Sequence, residues 1–425
     1  MEIWNTARYS IKGAFRMGQT TRVVALRGVS WLFGDRPPAP RLLRKTFERL
    51  GATYIKLGQF IASSPTLFPA EYVNEFQHCL DQTDPLPFRT IRQVLNEELG
   101  RPLERIFSDI DPEPLASASI AQVHAARLKT GEEVVIKIQK PGVRNVMLTD
   151  LNFLFVVARL LEWWAPSLSR ASLSAIISEI QKTMVEECDF LLEASNIDAF
   201  DRFLRDSDND VAVVPRVYYR GTSPRVLTME RFYGVPLTDL ERIRRYSPDP
   251  EMTLVAAMNT WFSSLMRCDF FHADVHAGNL MVLKDGRVGF IDFGIVGRLS
   301  PEIWSATTDL IEGLVLGDYV TIARSMVKIG MTRRKVDVAH LALDIKNLYE
   351  CIVEPLSEPW MAPQTPEQDV NRVVLDMVGL GERHGIRFPR EFALLIKQFL
   401  YFDRYTRILA PEMNMLADER LMMIA

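Results

Sequence analysis

The sequence predicts an α+β protein of two lobes preceded by an N-terminal helical extension. Three observations carry this. Residues 1–105 read as helices broken by prolines, residues 106–233 hold short β-type segments around an inserted helical block, and residues 234–425 read as mainly helical with one small hairpin. With 425 residues, 48% hydrophobic and 24% charged, the chain has ordinary globular composition. Disorder, collagen-like sequence and a disulfide scaffold are excluded on that basis.

In the extension, residues 1–34 read as helical, with Arg8, Lys12 and Arg16 at i, i+4 spacing. Asp35-Arg-Pro-Pro-Ala-Pro40 breaks the chain, and Arg41–Ser64 carries Leu42, Leu43, Phe47, Leu50, Tyr54 and Leu57 near 3.6 spacing, which predicts one amphipathic helix. In the small lobe, Ile120–Leu128 and Glu133–Gln139 flank Lys129-Thr-Gly-Glu132, a hairpin signal. A helical block near 144–206 follows, then β-type segments at Ala212–Tyr219 and Arg225–Glu230. In the large lobe, Leu280–Leu283 and Val288–Ile291 surround Asp285-Gly286, a second hairpin.

Charge is unevenly placed. The whole chain carries −4, but residues 1–50 hold ten basic and three acidic residues, so this stretch is +7 and the remainder −11. A basic, partly apolar start suits an anionic membrane surface; a solvated helix face accounts for it equally well. The overall balance argues against a nucleic-acid partner. Cys79, Cys188, Cys268 and Cys351 show no paired spacing, which argues for a reducing compartment and against a cysteine zinc site. No run of ~18 uncharged apolar residues is present, so no transmembrane helix is expected; neither is a secretory signal, although an Arg-rich, acid-poor start could mimic a transit peptide.

The densest chemical signal is His272-Ala-Asp-Val-His-Ala-Gly-Asn279 followed by Ile291-Asp-Phe-Gly294, the pattern H-x-D-x-x-x-x-N and then D-F-G across a hairpin. Phosphoryl transfer from a nucleotide needs oxygen ligands for Mg²⁺ and a carboxylate near the acceptor or attacking water. Asn279 and Asp292 fit the metal role, and Asp274 fits the catalytic-loop carboxylate. Upstream, Val134-Val-Ile-Lys137 ends a strand, where a lysine can grip phosphates if a carboxylate holds it; Glu187 and Glu193 are candidates. His272 reads as a brace for the loop. His124 and His276 show no metal-ligand spacing, and Trp163-Trp164 and Met413, Met415, Met422 and Met423 read as packing residues.

Two usual parts are missing. No glycine-rich G-x-G-x-x-G precedes Lys137; Leu115-Ala-Ser-Ala-Ser-Ile-Ala-Gln-Val-His124 stands there, and alanine cannot take the positive φ angles open to glycine. No A-P-E follows D-F-G; Gly297-Arg-Leu-Ser-Pro-Glu302 runs straight on, which removes the platform for peptide substrates.

Tyr54-Ile-Lys-Leu-Gly-Gln59, the Ala/Ser loop, Glu187-x-Asp189, the His272–Asn279 loop and D-F-G together resemble the UbiB family of atypical kinase-like proteins, also called the aarF-domain-containing kinase (ADCK) family. The resemblance covers roughly residues 40–300 and is visible again in Phe388-Pro-Arg-Glu-Phe-Ala-Leu-Leu395. It implies a two-lobed protein-kinase-like fold that binds ATP or ADP with Mg²⁺ and hydrolyses ATP at membranes. It also implies support of ubiquinone-type or other prenyl-lipid metabolism, possible partners among quinone-biosynthesis enzymes or lipid precursors, and a peripheral place at a bacterial or organelle membrane.

Carried over residue by residue, the resemblance pairs Lys56 with Glu187 and Lys137 with Glu193, and puts Lys56 and Gln59 on a helix covering the protein-substrate side. It makes Ala116, Ser117, Ala118 and Ser119 the nucleotide loop, with Glu230 also in the nucleotide set, and marks Asp189 as a family-motif residue. Asp274 becomes the catalytic carboxylate, and Asn279 and Asp292 the metal ligands. The loop here, Ala-Ser-Ala-Ser, departs from the commoner Ala-Ala-Ala-Ser by one hydroxyl. Two competing readings are a small-molecule kinase, disfavoured by the K-x-G-Q helix, and a nucleotide-sensing scaffold, disfavoured by the intact catalytic set.

Overall fold

The computed structural model describes residues 38–421 apart from 63–69, 77, 80–82, 165–172, 269, 333–335, 354–375, 378, 382, 414 and 416–417. The basic segment 1–34, the break at Asp35–Pro37, Met422 and Met423 therefore lie outside the described residues. The chain divides into two compact units, residues 1–195 with 216–231, and residues 196–215 with 232–425.

In the first unit the expected helix over Arg41–Ser64 is two helices, Ala39–Leu50 and Ala52–Ala62. The break is Gly51 at φ +94°, a backbone region that only glycine enters readily. Both helices pack on Val143–Trp164 and Leu173–Glu186 through a core of Leu50, Tyr54, Leu57, Val143, Met147, Leu151, Ile180 and Met184. Gly58 lets the second helix approach closely: a Cβ there would come within 2.8 Å of the Phe76 ring.

The sheet of this unit has four antiparallel strands in the order Phe107–Ser117, Ala121–Leu128, Glu133–Gln139, Val226–Glu230. The hairpin expected around Lys129–Glu132 forms, with Gly131 at φ +104°. Along Glu133–Gln139 the strand period of two sends Val134, Ile136 and Ile138 to one face, where they pack on Ile91, Val94 and Leu95 of helix Phe88–Leu99. Lys137 therefore projects from the opposite face. Ala116, Val123, Lys137 and Leu227 stand in one row across the sheet.

In the second unit a four-stranded sheet runs Ala212–Val213, Val288–Phe290, Leu280–Leu283, Gly234–Pro236. The segment expected as a strand over Ala212–Tyr219 is thus only two residues long and pairs in parallel with Val288 and Gly289. Pro215 has no N–H to donate to a ladder, which ends it. Helix Pro250–Arg267 opens on an Asp249 cap that accepts from the Met252 N–H (3.0 Å), and buries Trp261 against Phe271 and Phe402. Helices Pro301–Leu316, Tyr319–Ile329, Val338–Val353 and Arg390–Leu409 follow, with a small ribbon pairing Met331–Thr332 to Ile386–Arg387. Among the described residues no helix is long and apolar enough to cross a membrane.

One packing expectation fails. Trp163 and Trp164 are 81% and 80% exposed, because helix Val143–Trp164 buries only Val143, Met147, Asp150, Leu151 and Ala158, all before its last turn. Met415, by contrast, is buried.

Candidate functional site

The chemistry-bearing residues form two constellations, one inside each unit. In the first, Lys137 Nζ donates to both carboxylate oxygens of Glu193, at 2.9 and 3.0 Å, and lies 5.3 Å from the centre of the Phe190 ring. Glu193 is only 2% exposed as a side chain. A carboxylate so buried is costly unless paired, and the bidentate lysine supplies the compensation.

Lys56 Nζ reaches Glu187 Oε2 at 2.9 Å, with side-chain exposures of 17% and 12%, so Lys56 is not on a solvated face. Gln59 is half-buried on the same helix. Glu187 stands in the turn after helix Leu173–Glu186, where the Cys188 carbonyl accepts from Gln139 Nε2 (3.0 Å). Burial, then the adjacent Glu187 charge, pushes the Cys188 thiol up to about 11, so this cysteine stays a neutral packing residue. Asp189 is exposed and accepts from the backbone N–H groups of Leu191 (3.1 Å) and Leu192 (3.4 Å), capping helix Phe190–Asp206.

The Ala/Ser loop is a tight turn. The Ala118 N–H donates to the Ala121 carbonyl (2.8 Å), and Thr83 holds the loop from outside: its N–H donates to Ser117 O (3.2 Å) and its hydroxyl to Ala118 O (2.8 Å). Lys140 donates to the Thr83 hydroxyl at 2.6 Å. The buried Ser117 hydroxyl has no hydrogen-bond partner in the structure. Ala116 lies two strands from Lys137, about 10 Å at ~4.8 Å per strand, on the same row. Glu230 is not brought to this cluster. It sits opposite Val134, exposed, with its carboxylate accepting from the Arg216 N–H (3.3 Å).

His124 is fully buried between Gln122 and the Asp111 carbonyl (2.9 and 2.8 Å), a structural role.

In the second unit the hairpin fixes Asn279 beside Asp292. Leu280 pairs with Phe290, and the Ile291 N–H donates to the Asn279 carbonyl at 2.9 Å. Asn279 Nδ2 in turn donates to the Asp274 carbonyl (3.0 Å), so the loop is closed on itself. Asp292 adopts φ +61°, a left-handed conformation that Asp and Asn tolerate better than other side chains, and its Oδ1 accepts from the Gly294 N–H (3.3 Å). Phe293 is fully buried against Phe200 and His272, which anchors the D-F-G turn.

His272 braces the loop. Its Nε2 lies 3.0 Å from the Ile291 carbonyl and its Nδ1 accepts from the Asp274 N–H (3.1 Å). These partners assign the Nε2–H tautomer. Burial holds its pKa below the usual imidazole value, so the ring is neutral.

Asp274 has partners that sequence reading missed. Lys397 Nζ donates to its Oδ1 at 2.9 Å, and His276 Nε2 lies 3.6 Å from Oδ2. Burial alone would raise the Asp274 pKa. Lys397 and His276 outweigh it and hold the carboxyl below the usual carboxylate range, so it is ionised at neutral pH. The neighbouring Gln398 bridges the loop, donating to Ala273 O (2.8 Å) and accepting from Val275 N–H (2.9 Å), and the Tyr405 hydroxyl donates to Val275 O (2.8 Å). Helix Arg390–Leu409 therefore clamps the loop at 273–275. The signal was a Lys-Gln pair inside the apolar run Phe392–Phe402, directly after the motif at Phe388–Leu395.

The carboxamide of Asn279 and the carboxylate of Asp292 offer hard oxygen donors, the kind Mg²⁺ prefers. With an ionised carboxylate alongside, they can hold a metal-bound polyphosphate and orient a nucleophile.

The ABC1 atypical kinase-like domain model matches residues 78–326. An uncharacterised chloroplastic aarF-domain-containing protein kinase of Arabidopsis thaliana is 50% identical over 400 residues, covering 90% of this chain and 74% of the relative. A probable protein kinase UbiB of Pseudomonas aeruginosa is 32% identical over 379 residues, covering 88% and 69%. Among solved structures, Mycobacterium tuberculosis Rv3197 in complex with erythromycin superposes with TM-score 0.53 at 23% identity, covering 93% of this chain and 98% of that one, a likeness of fold.

Proposed function

We propose, from the premise that this chain belongs to the ABC1 atypical kinase-like family, that it binds Mg·ATP and hydrolyses it at a membrane surface, in support of isoprenoid-quinone or prenyl-lipid biosynthesis. The observation that carries the catalytic part is the hairpin that holds Asn279 and Asp292 side by side, next to an ionised Asp274.

Asn279 and Asp292 are the metal ligands in this reading; a bound Mg²⁺ would neutralise phosphate charge. Lys137, held by Glu193, is the phosphate-gripping residue in this reading, and the 116–119 turn is the nucleotide loop. Asp274 accepts a proton from, or orients, the attacking water. Lys397 holds that carboxylate in its charged state.

Support for the membrane part comes from helix Val143–Trp164. Val156, Leu160, Trp163 and Trp164 recur at i, i+4, i+7 and i+8, one helical stripe, and all are exposed. Such a stripe ending in tryptophans suits a bilayer interface. The basic residues 1–34 are kept as a second, separate expectation of membrane contact.

Phosphate release from Mg·ATP, with and without anionic liposomes, tests the reading. Turnover should rise with liposomes, and Trp163→Ser/Trp164→Ser should lose most of that rise while keeping the basal rate. No turnover at all, with nucleotide still raising the melting temperature, would favour the scaffold instead.

The Lys56–Glu187 pair gives a separate prediction. In this reading the K-x-G-Q helix blocks protein phosphorylation, so Lys56→Ala or Glu187→Ala should incorporate more radiolabelled phosphate into the protein itself. Unchanged incorporation in both variants would remove the blocking role.

A further inference from the structure

His340, Asp344 and His384 form a cluster that the nucleotide chemistry does not use. His340 and Asp344 are one turn apart on helix Val338–Val353, hence on one face. His384 comes from a separate segment, and its Nε2 lies 2.8 Å from Asp344 Oδ2. His340 Nδ1 is 3.9 Å from the same oxygen, and the two imidazole rings are 5.3 Å apart. One donor atom from each residue lies within 4.8 Å of the others.

The geometry assigns a divalent zinc-type site to these three side chains. Two imidazoles and one carboxylate are the donor set that Zn²⁺ takes in three-ligand sites, with water in the fourth position. Tetrahedral bonds of ~2.0–2.1 Å put neighbouring donors about 3.3 Å apart. The observed 2.8 and 3.9 Å to Asp344 straddle that value, and the two imidazole donors lie within 4.8 Å of each other, so the side chains must draw together by up to about 1.5 Å.

The backbone is already fixed for the purpose. Asp337 caps the helix by accepting from the His340 N–H at 3.1 Å. Leu341, Ala342 and Ile345 flank the helical pair and share one core with Leu380 and Ile386, which flank His384. Strand Ile386–Arg387 is tied to Met331–Thr332 just beyond it. The metal would therefore clamp helix Val338–Val353 to the His384 segment, both within the second unit.

The test uses the full chain, stripped with a chelator and free of nucleotide. Zn²⁺ is titrated in, with Co²⁺ as a coloured stand-in whose absorption reports tetrahedral ligation. The wild type should bind one equivalent that His340→Gln and Asp344→Asn bind at least roughly tenfold more weakly, since even outer-shell changes cost that much. At a zinc concentration that just saturates the wild type, zinc should raise the melting temperature of the wild type more than that of either variant. His340 is exposed, so metal-free His340→Gln should melt with the wild type. Equal zinc affinity in wild type and His340→Gln, or no saturable binding by the wild type, would overturn the assignment.

Discussion

Asp292→Asn is expected to lower Mg·ATP turnover by about 10²–10³-fold, the scale lost when one preorganised electrostatic contact to developing charge is removed. The substitution is chosen for its backbone. Position 292 sits at φ +61°, and after glycine Asn is the neutral residue that tolerates that region best. Asn also keeps an oxygen for the Gly294 N–H. The variant should therefore melt close to the wild type, and the loss should be chemical. Phosphate release measured on both proteins decides it; turnover within threefold of wild type would remove Asp292 from the metal role. Asp292→Ala is a poorer probe, because it adds backbone strain to the loss of the ligand.

The largest stability effect is expected at Lys137. Lys137→Met removes both hydrogen bonds from Lys137 to a Glu193 carboxylate that is 2% exposed. Stripping one member from a buried pair costs about 3–5 kcal/mol, whereas replacing both by apolar residues is often near neutral. Lys137→Met/Glu193→Leu should thus be more stable than Lys137→Met alone, although equally unable to grip phosphate. Chemical denaturation of the single and double variants measures the difference. A single variant as stable as the double would mean that Glu193 is not held as a buried anion.

How legible the molecule was depends on which force sets each element. Glu133–Gln139 could be read because apolar residues alternate on a half-buried strand. Its neighbour Phe107–Ser117 could not: it is an edge strand, mostly exposed, carrying Asp109, Asp111, Pro112 and Pro114 on a register broken by irregularities. Only pairing with Ala121–Leu128 makes it a strand. The break at Gly51 was hidden because the apolar period continues through it. The spacing of Asp274, Asn279 and Asp292 was visible since one loop and one hairpin carry all three. Lys397 and His384 were not visible, because long-range packing alone brings them to Asp274 and Asp344. The exposure of Trp163 and Trp164 was misjudged for a related reason. Hydrophobicity says that a side chain gains from burial, not that a neighbour is there to bury it.

The clamp on the His272–Asn279 loop has a consequence for how the protein comes into being. Lys397 lies 123 residues after Asp274. At ~5–20 residues per second, a ribosome needs roughly 6–25 s to synthesise that interval. For all but the first 20 residues of this interval, the nascent chain carries the whole H-x-D-x-x-x-x-N and D-F-G sequence without the lysine, glutamine and tyrosine that set the loop. The contacts that set this loop are thus among the last that translation can supply.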